Sequence, residues 1–185
     1  MHRVVYLGTL LAATWVLGCA SPRLNVPLYS TASAISAPER TETLHAKRLT
    51  GVPFFADDTN QCGPASLASV LNYWGIPSDP VMLRNEIYLP KLRGSLPIDL
   101  LLAAESRNMK VKMYSGSLAD MKSELGAGHP LLVFLNLGYG VFAQGHYVVV
   151  TGYDDSRQGV YLHSGLEHDL FLSYERFLRS WRKTG

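Results

Sequence analysis

Gln61-Cys62-Gly63-Pro64-Ala65-Ser66-Leu67-Ala68-Ser69-Val70-Leu71-Asn72-Tyr73-Trp74-Gly75 is the stretch on which the fold turns. Leu67, Val70, Leu71 and Trp74 recur at i, i+3, i+4 and i+7, the period of a helix with one buried face. Pro64 suits the first helical position, where a missing N–H costs nothing, with Gly63 as a permissive cap before it. Gly75 falls where helices stop in the left-handed conformation. This arrangement sets Cys62 just outside a helix N-terminus, where unpaired amides and the helix dipole favour a thiolate. The alternative is a small buried core residue, a common fate of cysteine.

Upstream, Gly51-Val52-Pro53-Phe54-Phe55 is a short apolar approach, and Asp57-Asp58-Thr59-Asn60 a polar turn leading into Cys62. Farther back the composition changes twice. Met1-His2-Arg3 is a short positive region, and Val4 to Leu17 is an uncharged apolar run of fourteen residues. A membrane-spanning helix needs roughly 20 residues, so the run reads as an export signal. Its end, Val16-Leu17-Gly18-Cys19, resembles the lipobox of bacterial lipoproteins, although Leu17 is bulkier than that position usually carries. The resemblance implies a signal peptide over 1–18 and a lipid on Cys19, with an ordinary signal cleaved elsewhere as the alternative. The sequence holds two cysteines, so lipidation of one leaves Cys62 as a single thiol in an exported protein. Such a thiol is either inert and buried or reactive. Residues 19–47 are rich in Ser, Thr, Ala and Pro and read as a flexible tether in which His45 is merely solvated.

Downstream, Ser78-Asp79-Pro80 starts a helix to about Tyr88, Gly94-Ser95-Leu96-Pro97 opens another, and Ser117-Leu118-Ala119-Asp120 a third that Gly126-Ala127-Gly128 stops. Met109 to Tyr114 alternates as a short strand would. Leu131-Leu132-Val133-Phe134-Leu135 is continuously apolar, as in a strand buried on both faces. Tyr147 to Tyr153 is a second strand, joined through the Asp154–Gly159 turn to Val160-Tyr161-Leu162-His163 as a hairpin. Asp169–Leu172 adds a short strand, and Ser173-Tyr174-Glu175-Arg176 a capped helix carrying Phe177, Leu178 and Trp181. Helices first and antiparallel strands later make residues 48–185 an α+β domain. The 185 residues suffice for one core, and a net charge of +2 without a basic cluster argues against a nucleic-acid partner.

Gly145-His146-Tyr147 sets a histidine at the mouth of an apolar strand. Alone, such a residue is usually structural. With Cys62 it offers an imidazole to take the thiol proton, a nucleophile for a carbonyl, and an acid for the leaving amine. The amide of Cys62 could donate to the oxyanion.

Together, Gln61-Cys62-Gly63-Pro64-Ala65 with Leu67 and Gly75, and Gly145-His146-Tyr147-Val148-Val149-Val150-Thr151-Gly152-Tyr153-Asp154, resemble the C39 family of cysteine peptidases. The separation from position 62 to position 146, 84 residues, suits that family, and the similarity runs from about Val52 to Trp181. The resemblance implies a papain-like fold and a Cys62–His146 peptidase acting on a peptide or protein, of a kind best known for cutting double-glycine leaders while fused to ABC exporters. No nucleotide-binding loop is present, so a stand-alone copy without cofactor or ATP is expected, with a secretion-system or exporter partner. The family's upstream oxyanion glutamine has no counterpart at Ala56, Asp57 or Asp58, which leaves the adjacent Gln61. Its third member, an acid or amide past the next strand, falls at His163-Ser164-Gly165. Strand alternation lets only one of His163 and Ser164 meet His146, and Ser164 is favoured. Asp154 and Asp155 read as turn residues and His129 as idle, while His163, His168 and Asp169 lack a compact zinc spacing, so no metal is expected. A lipid on Cys19 implies tethering on the outer side of the cytoplasmic membrane or, if the cell is Gram-negative, on the periplasmic face of the outer membrane. The latter rests on Ala20 and Ser21, which lack the aspartate linked to inner-membrane retention. The same pair of residues could instead serve acyl transfer or amide cleavage, or the altered positions could mark a retired enzyme that binds peptides.

Overall fold

The computed structural model describes residues 45–57, 59–139 and 142–184; the signal peptide, Cys19 and nearly all of the tether lie outside them. The elements run β1 (Ala46–Arg48), α1 (Cys62–Tyr73), α2 (Pro80–Ile87), α3 (Pro97–Glu105), α4 (Leu118–Gly126), β2 (Leu131–Asn136), β3 (Gly145–Asp154), β4 (Gly159–Ser164), β5 (Glu167–Ser173) and α5 (Tyr174–Trp181), with a closing 3-10 turn over Arg182–Thr184.

Helix boundaries follow from caps. Asp79 accepts from the amides of Val81 and Met82 ahead of Pro80, and Ser117 with Asp120 forms a reciprocal capping box. At α1 the expected cap moves by two residues: Gln61 is the N-cap and Cys62 the first helical residue. Pro64 is tolerated at the third position because the first turn's amides need no intrahelical partner. Gly75 takes φ +74° after the helix, as its lack of a Cβ permits. Trp74, expected on the buried face, is 45% exposed and lies against Tyr73 and His129. Its carrier helix has ended, so the helical period no longer aims it inward.

All strand pairs are antiparallel. The sheet order is β1-β3-β4-β5, and β2 also pairs with β3. β3 is the central element. Tyr147 joins Leu67, Leu71, Leu83, Leu100 and Ala104 in a core with α1, α2 and α3. The next residue, Val148, packs oppositely with Leu125, Leu135, Leu162 and Phe177 against α4 and α5. Burial on both faces therefore belongs to β3. In β2 only Val133 and Leu135 are buried and their neighbours are partly covered, which corrects the doubly buried reading of that strand. Phe177 is fully buried; truncating such a ring to alanine costs about 3–5 kcal/mol.

Two local expectations change. Met109 to Tyr114 forms no ladder among the described residues; Met109 and Val111 instead pack against the α1–α3 core. An alternating pattern needs only one apolar wall, and here helices supply it. The last residues of the expected tether, Ala46 and Lys47, pair with Asp154 and Tyr153 as part of β1.

Candidate active site

Cys62 opens α1 and is partly buried. Its Sγ accepts the Tyr147 N–H at 3.5 Å, so the first turn of α1 and the start of β3 meet at the sulfur. The ring of Tyr147 anchors that junction: its hydroxyl donates to the Ser95 carbonyl at 3.2 Å. Gly63 leaves little room beside the sulfur: a Cβ there would lie 3.1 Å from Ser95 Cβ and Oγ, so the Ser95 side chain would have to give by a few tenths of an ångström.

His146 precedes Tyr147 and aims its ring to the other side of the strand. Its Nε2 is 2.9 Å from Ser164 Oγ, at the end of β4. Of the two candidates past that strand, Ser164 reaches His146. His163 points the other way and is 5% exposed, its Nε2 against the Val52 carbonyl at 3.1 Å and its Nδ1 accepting the Asp169 N–H at 3.2 Å. The β4–β5 register is irregular between Leu162 and Ser164, and Asp169 has φ +57°; together these free the amide that His163 receives.

Among the described residues, no hydrogen bond joins Cys62 to His146. Burial, reinforced by the nearby negative charge of Asp57 and opposed by the Tyr147 N–H, pushes the Cys62 thiol above its ordinary value. Burial pushes His146 down, against the opposing pull of Asp57. Both directions favour the uncharged forms, thiol and neutral imidazole, near neutral pH. This differs from the thiolate read off the helix N-terminus, because desolvation of the sulfur outweighs the amides there.

Asp57 is the residue that sequence reading missed. It lines a narrow recess with Cys62, Ser164 and Gly165. Its carboxylate accepts from Thr59 N at 3.0 Å and Gln61 N at 2.9 Å, and its own N–H donates to the Gly165 carbonyl at 2.9 Å. It was readable only as a turn residue, although it lies in the segment where the C39 resemblance implies an oxyanion glutamine. Gln61, the substitute expected there, donates through Nε2 to Thr59 Oγ1 at 2.6 Å and so braces the same turn.

On the α5 side, His146 and Ser164 border a cavity of about 240 Å³ lined by Leu135, Val148, Leu162 and Leu172 and rimmed by Arg176 and Arg179. The two acids of the β3–β4 turn brace it: Asp154 accepts from Ser156 and Arg157, and Asp155 from Lys122 and Tyr174. His129 pairs with Glu124 at 2.7 Å.

The fold does gather His163, His168 and Asp169, whose potential ligand atoms lie within 4.8 Å of one another. The sequence offers the same three residues, though without a compact zinc spacing. They suit a metal poorly: both His163 nitrogens face backbone partners, and the Arg48 guanidinium sits 2.8 Å from Asp169 Oδ2.

The architecture has relatives among solved structures. A Bacillus anthracis protein assigned as a C39-like peptidase superposes with a TM-score of 0.61 at 23% identity, over 76% of this chain and 94% of that one. A double-glycine-motif protease from an AMS/PCAT transporter, in complex with a leader peptide, gives 0.53 at 22%, over 73% and 91%. The peptidase domain of Streptococcus ComA, a bi-functional ABC transporter of a quorum-sensing pathway, gives 0.52 at 23%, over 73% and 91%. At such identities these likenesses speak for the fold, which is α+β and papain-like. No curated protein matches the sequence. The family model does: residues 24–185 match the peptidase C39-like family, and a cysteine-headed helix laid against a histidine-bearing central strand fits that match, so the chain belongs to that family.

Proposed function

We propose that this protein is a cysteine peptidase that cleaves a peptide bond through Cys62 and His146. The carrying observation is the junction at the sulfur: the Tyr147 N–H meets Cys62 Sγ at 3.5 Å, and the adjacent His146 is fixed by Ser164 at 2.9 Å. Ser164 occupies Nε2, which leaves Nδ1 to take the thiol proton. Catalytic hydrogen bonds of this kind often tighten only once substrate is bound. The thiolate then attacks the scissile carbonyl, forming a C–S bond, while the oxyanion is met by amides at the start of α1. His146 returns the proton to the leaving amine as the C–N bond breaks. Water hydrolyses the thioester, giving the carboxylate and restoring the thiol. Gln61 is a minor participant in this reading, holding the turn before the nucleophile.

The lipobox-like Val16-Leu17-Gly18-Cys19 supports export and a lipid on Cys19, with the residues between Cys19 and β1 as tether and the domain facing the periplasm. No helix among the described residues is long and apolar enough to cross a membrane. Because one structural relative is held with a leader peptide and another belongs to an ABC transporter, a peptide substrate and an exporter or other secretion partner are the natural candidates. The same site also supports acyl transfer to an amine.

One observation favours a second reading, a retired site that only binds peptides. Asp57 places a carboxylate beside the sulfur, and the thiol is pushed up rather than down. A peptidyl probe that reacts irreversibly with cysteines separates the readings when applied to the full-length protein. Labelling of Cys62 that is fast in the parent and lost in His146→Ala supports the enzyme. Labelling no faster than that of a solvent-exposed cysteine, and equal in both, establishes the retired site. Product analysis with an added amine then divides hydrolysis from transfer.

A further inference from the structure

We propose that Asp57 is a specificity-determining residue, selecting substrates that set a primary ammonium group against its carboxylate. The inference rests on the peptidase reading above and names the substrate class for that site.

Asp57 is held firmly where it stands. Its N–H donates to the carbonyl of Gly165, the residue after Ser164, at 2.9 Å. Its carboxylate accepts the Thr59 N–H at 3.0 Å through one oxygen and the Gln61 N–H at 2.9 Å through the other. Gln61 adjoins Cys62, so Asp57 is tied to both sides of the recess onto which the sulfur opens. Neutral amides orient this charge and do not cancel it.

No cation cancels it either. Glu86, Glu124, Asp155, Asp169 and Glu175 each pair with a basic side chain, whereas Asp57 has no ion-pair partner among the described residues. Its field reaches both Cys62 and His146, and among the described residues no cationic side chain offsets it at either. A partly buried carboxylate calls for a counter-charge, and beside a sulfur that must become a thiolate an uncompensated one works against the chemistry. A cation arriving with the substrate resolves the conflict. Set against Asp57, it cancels the repulsion of the thiolate, so the correct substrate eases proton transfer from Cys62 to His146. The recess has a volume of about 10 Å³, room for roughly one water-sized group. An ammonium head has that size, and a planar guanidinium is broader. Such an ammonium has two sources in a peptide, a lysine side chain and a free N-terminus.

The test applies peptidyl chloromethyl ketones, which alkylate Cys62, to the full-length protein. Acetylated probes carry lysine, arginine or norleucine next to the reactive carbon, and a further pair ends there in alanine with its amine free or acetylated. The lysine or the free-amine probe should outpace its neutral counterpart about tenfold, as one hydrogen bond between charged groups implies. Whichever does so identifies the source. Asp57→Asn should erase the difference, and in the unaltered protein about 1 M salt should shrink it through screening. Ammonium probes no faster than their neutral counterparts overturn the proposal, as does a preference that survives both Asp57→Asn and salt. An arginine probe as fast as the lysine one overturns the choice of ammonium. The peptidase reading fails separately, when His146→Ala labels as fast as the parent with every probe. Anisotropy of the same peptides without the reactive group, bound to Cys62→Ala, then decides on Asp57: tighter binding of the ammonium peptide supports its role, and equal binding overturns it.

Discussion

His146 and His163 stand on neighbouring strands, and burial lowers the proton affinity of both. They differ in what their nitrogens touch. His163 has both committed, to the Val52 carbonyl and the Asp169 N–H, and its ring is stacked on His168 and flanked by Phe54. His146 has one nitrogen on the hydroxyl of Ser164 and sits where a cavity begins. An imidazole enclosed by backbone partners can only brace the fold, whereas one held at a single nitrogen is oriented and still able to exchange a proton. Residue type and burial do not separate the two; partners do.

The largest effects that could break this contrast come from deletion. Cys62→Ala should abolish peptide cleavage, and His146→Ala should lower turnover by about 10²–10⁴-fold, the range of a lost general base, with thermal unfolding unchanged. His163→Ala should do the reverse, costing on the order of 1–3 kcal/mol for a backbone donor and acceptor left unpaired. Denaturant titration beside steady-state kinetics measures both. A His163→Ala protein that is fully stable yet inactive would exchange the two assignments.

A second, smaller effect is acid sensitivity. Burial holds the affinity of His163 for a proton below the ordinary value of 6.5 in the folded protein. The unfolded chain therefore binds more protons as pH falls. The stability that this residue supports is complete above 6.5 and declines as pH drops through the folded value. Unfolding midpoints taken across mildly acidic pH should show the decline, and His163→Gln should flatten it.

The third concerns the sulfur. Asp57 adds to the burial that holds the thiol up. Alkylation of Cys62 by a small reagent, which unlike a peptidyl probe does not fill the substrate site and tighten the Cys62–His146 pair, should therefore accelerate only above the thiol's ordinary range. Asp57→Asn keeps an oxygen for the Thr59 and Gln61 amides while removing the charge. It should shift the alkylation profile to lower pH, and an unshifted profile would remove Asp57 from the electrostatics of the site.

The smallest effect belongs to Ser164. A hydroxyl orients His146 without supplying charge, so Ser164→Ala should reduce turnover only a few-fold, roughly the value of one neutral hydrogen bond of about 1 kcal/mol. Ser164→Asp should retain or raise activity. A loss from Ser164→Ala as large as that from His146→Ala would mean that the ring depends on its orienting partner far more than a thiol–imidazole pair should.

Much of this was legible in the residues. The helix period after Cys62, the capping signals at Asp79, Ser117 and Ser173, and the apolar runs of β2 to β4 all act locally, and each formed its element. The alternation that turns His163 and Ser164 to opposite faces is equally local. What the sequence could not convey was distance. Asp57 reads as turn-former until the fold lays the β4–β5 turn beside it. The resting thiol state depends on how far α1 and β3 desolvate the sulfur, a property of packing. His168 and Asp169 come to His163 only because a β-ladder slips by one position and Asp169 adopts a left-handed backbone.

β1 is only three residues long, Ala46–Arg48, yet it changes what a shortened protein would do. β2 pairs with β3 over Gly145–Val150, and β1 pairs with β3 over Gly152–Asp154, packed so closely that a Cβ at Gly152 would lie 2.5 Å from the Lys47 carbonyl. Trimming the chain to begin at Leu49 would strip that cover and bare a row of β3 backbone groups in the middle of the hydrophobic sheet. An uncovered edge of this kind invites strand pairing with another molecule, and so self-association. The short segment nearest the tether thus protects the domain from its own copies, and any soluble form should keep it.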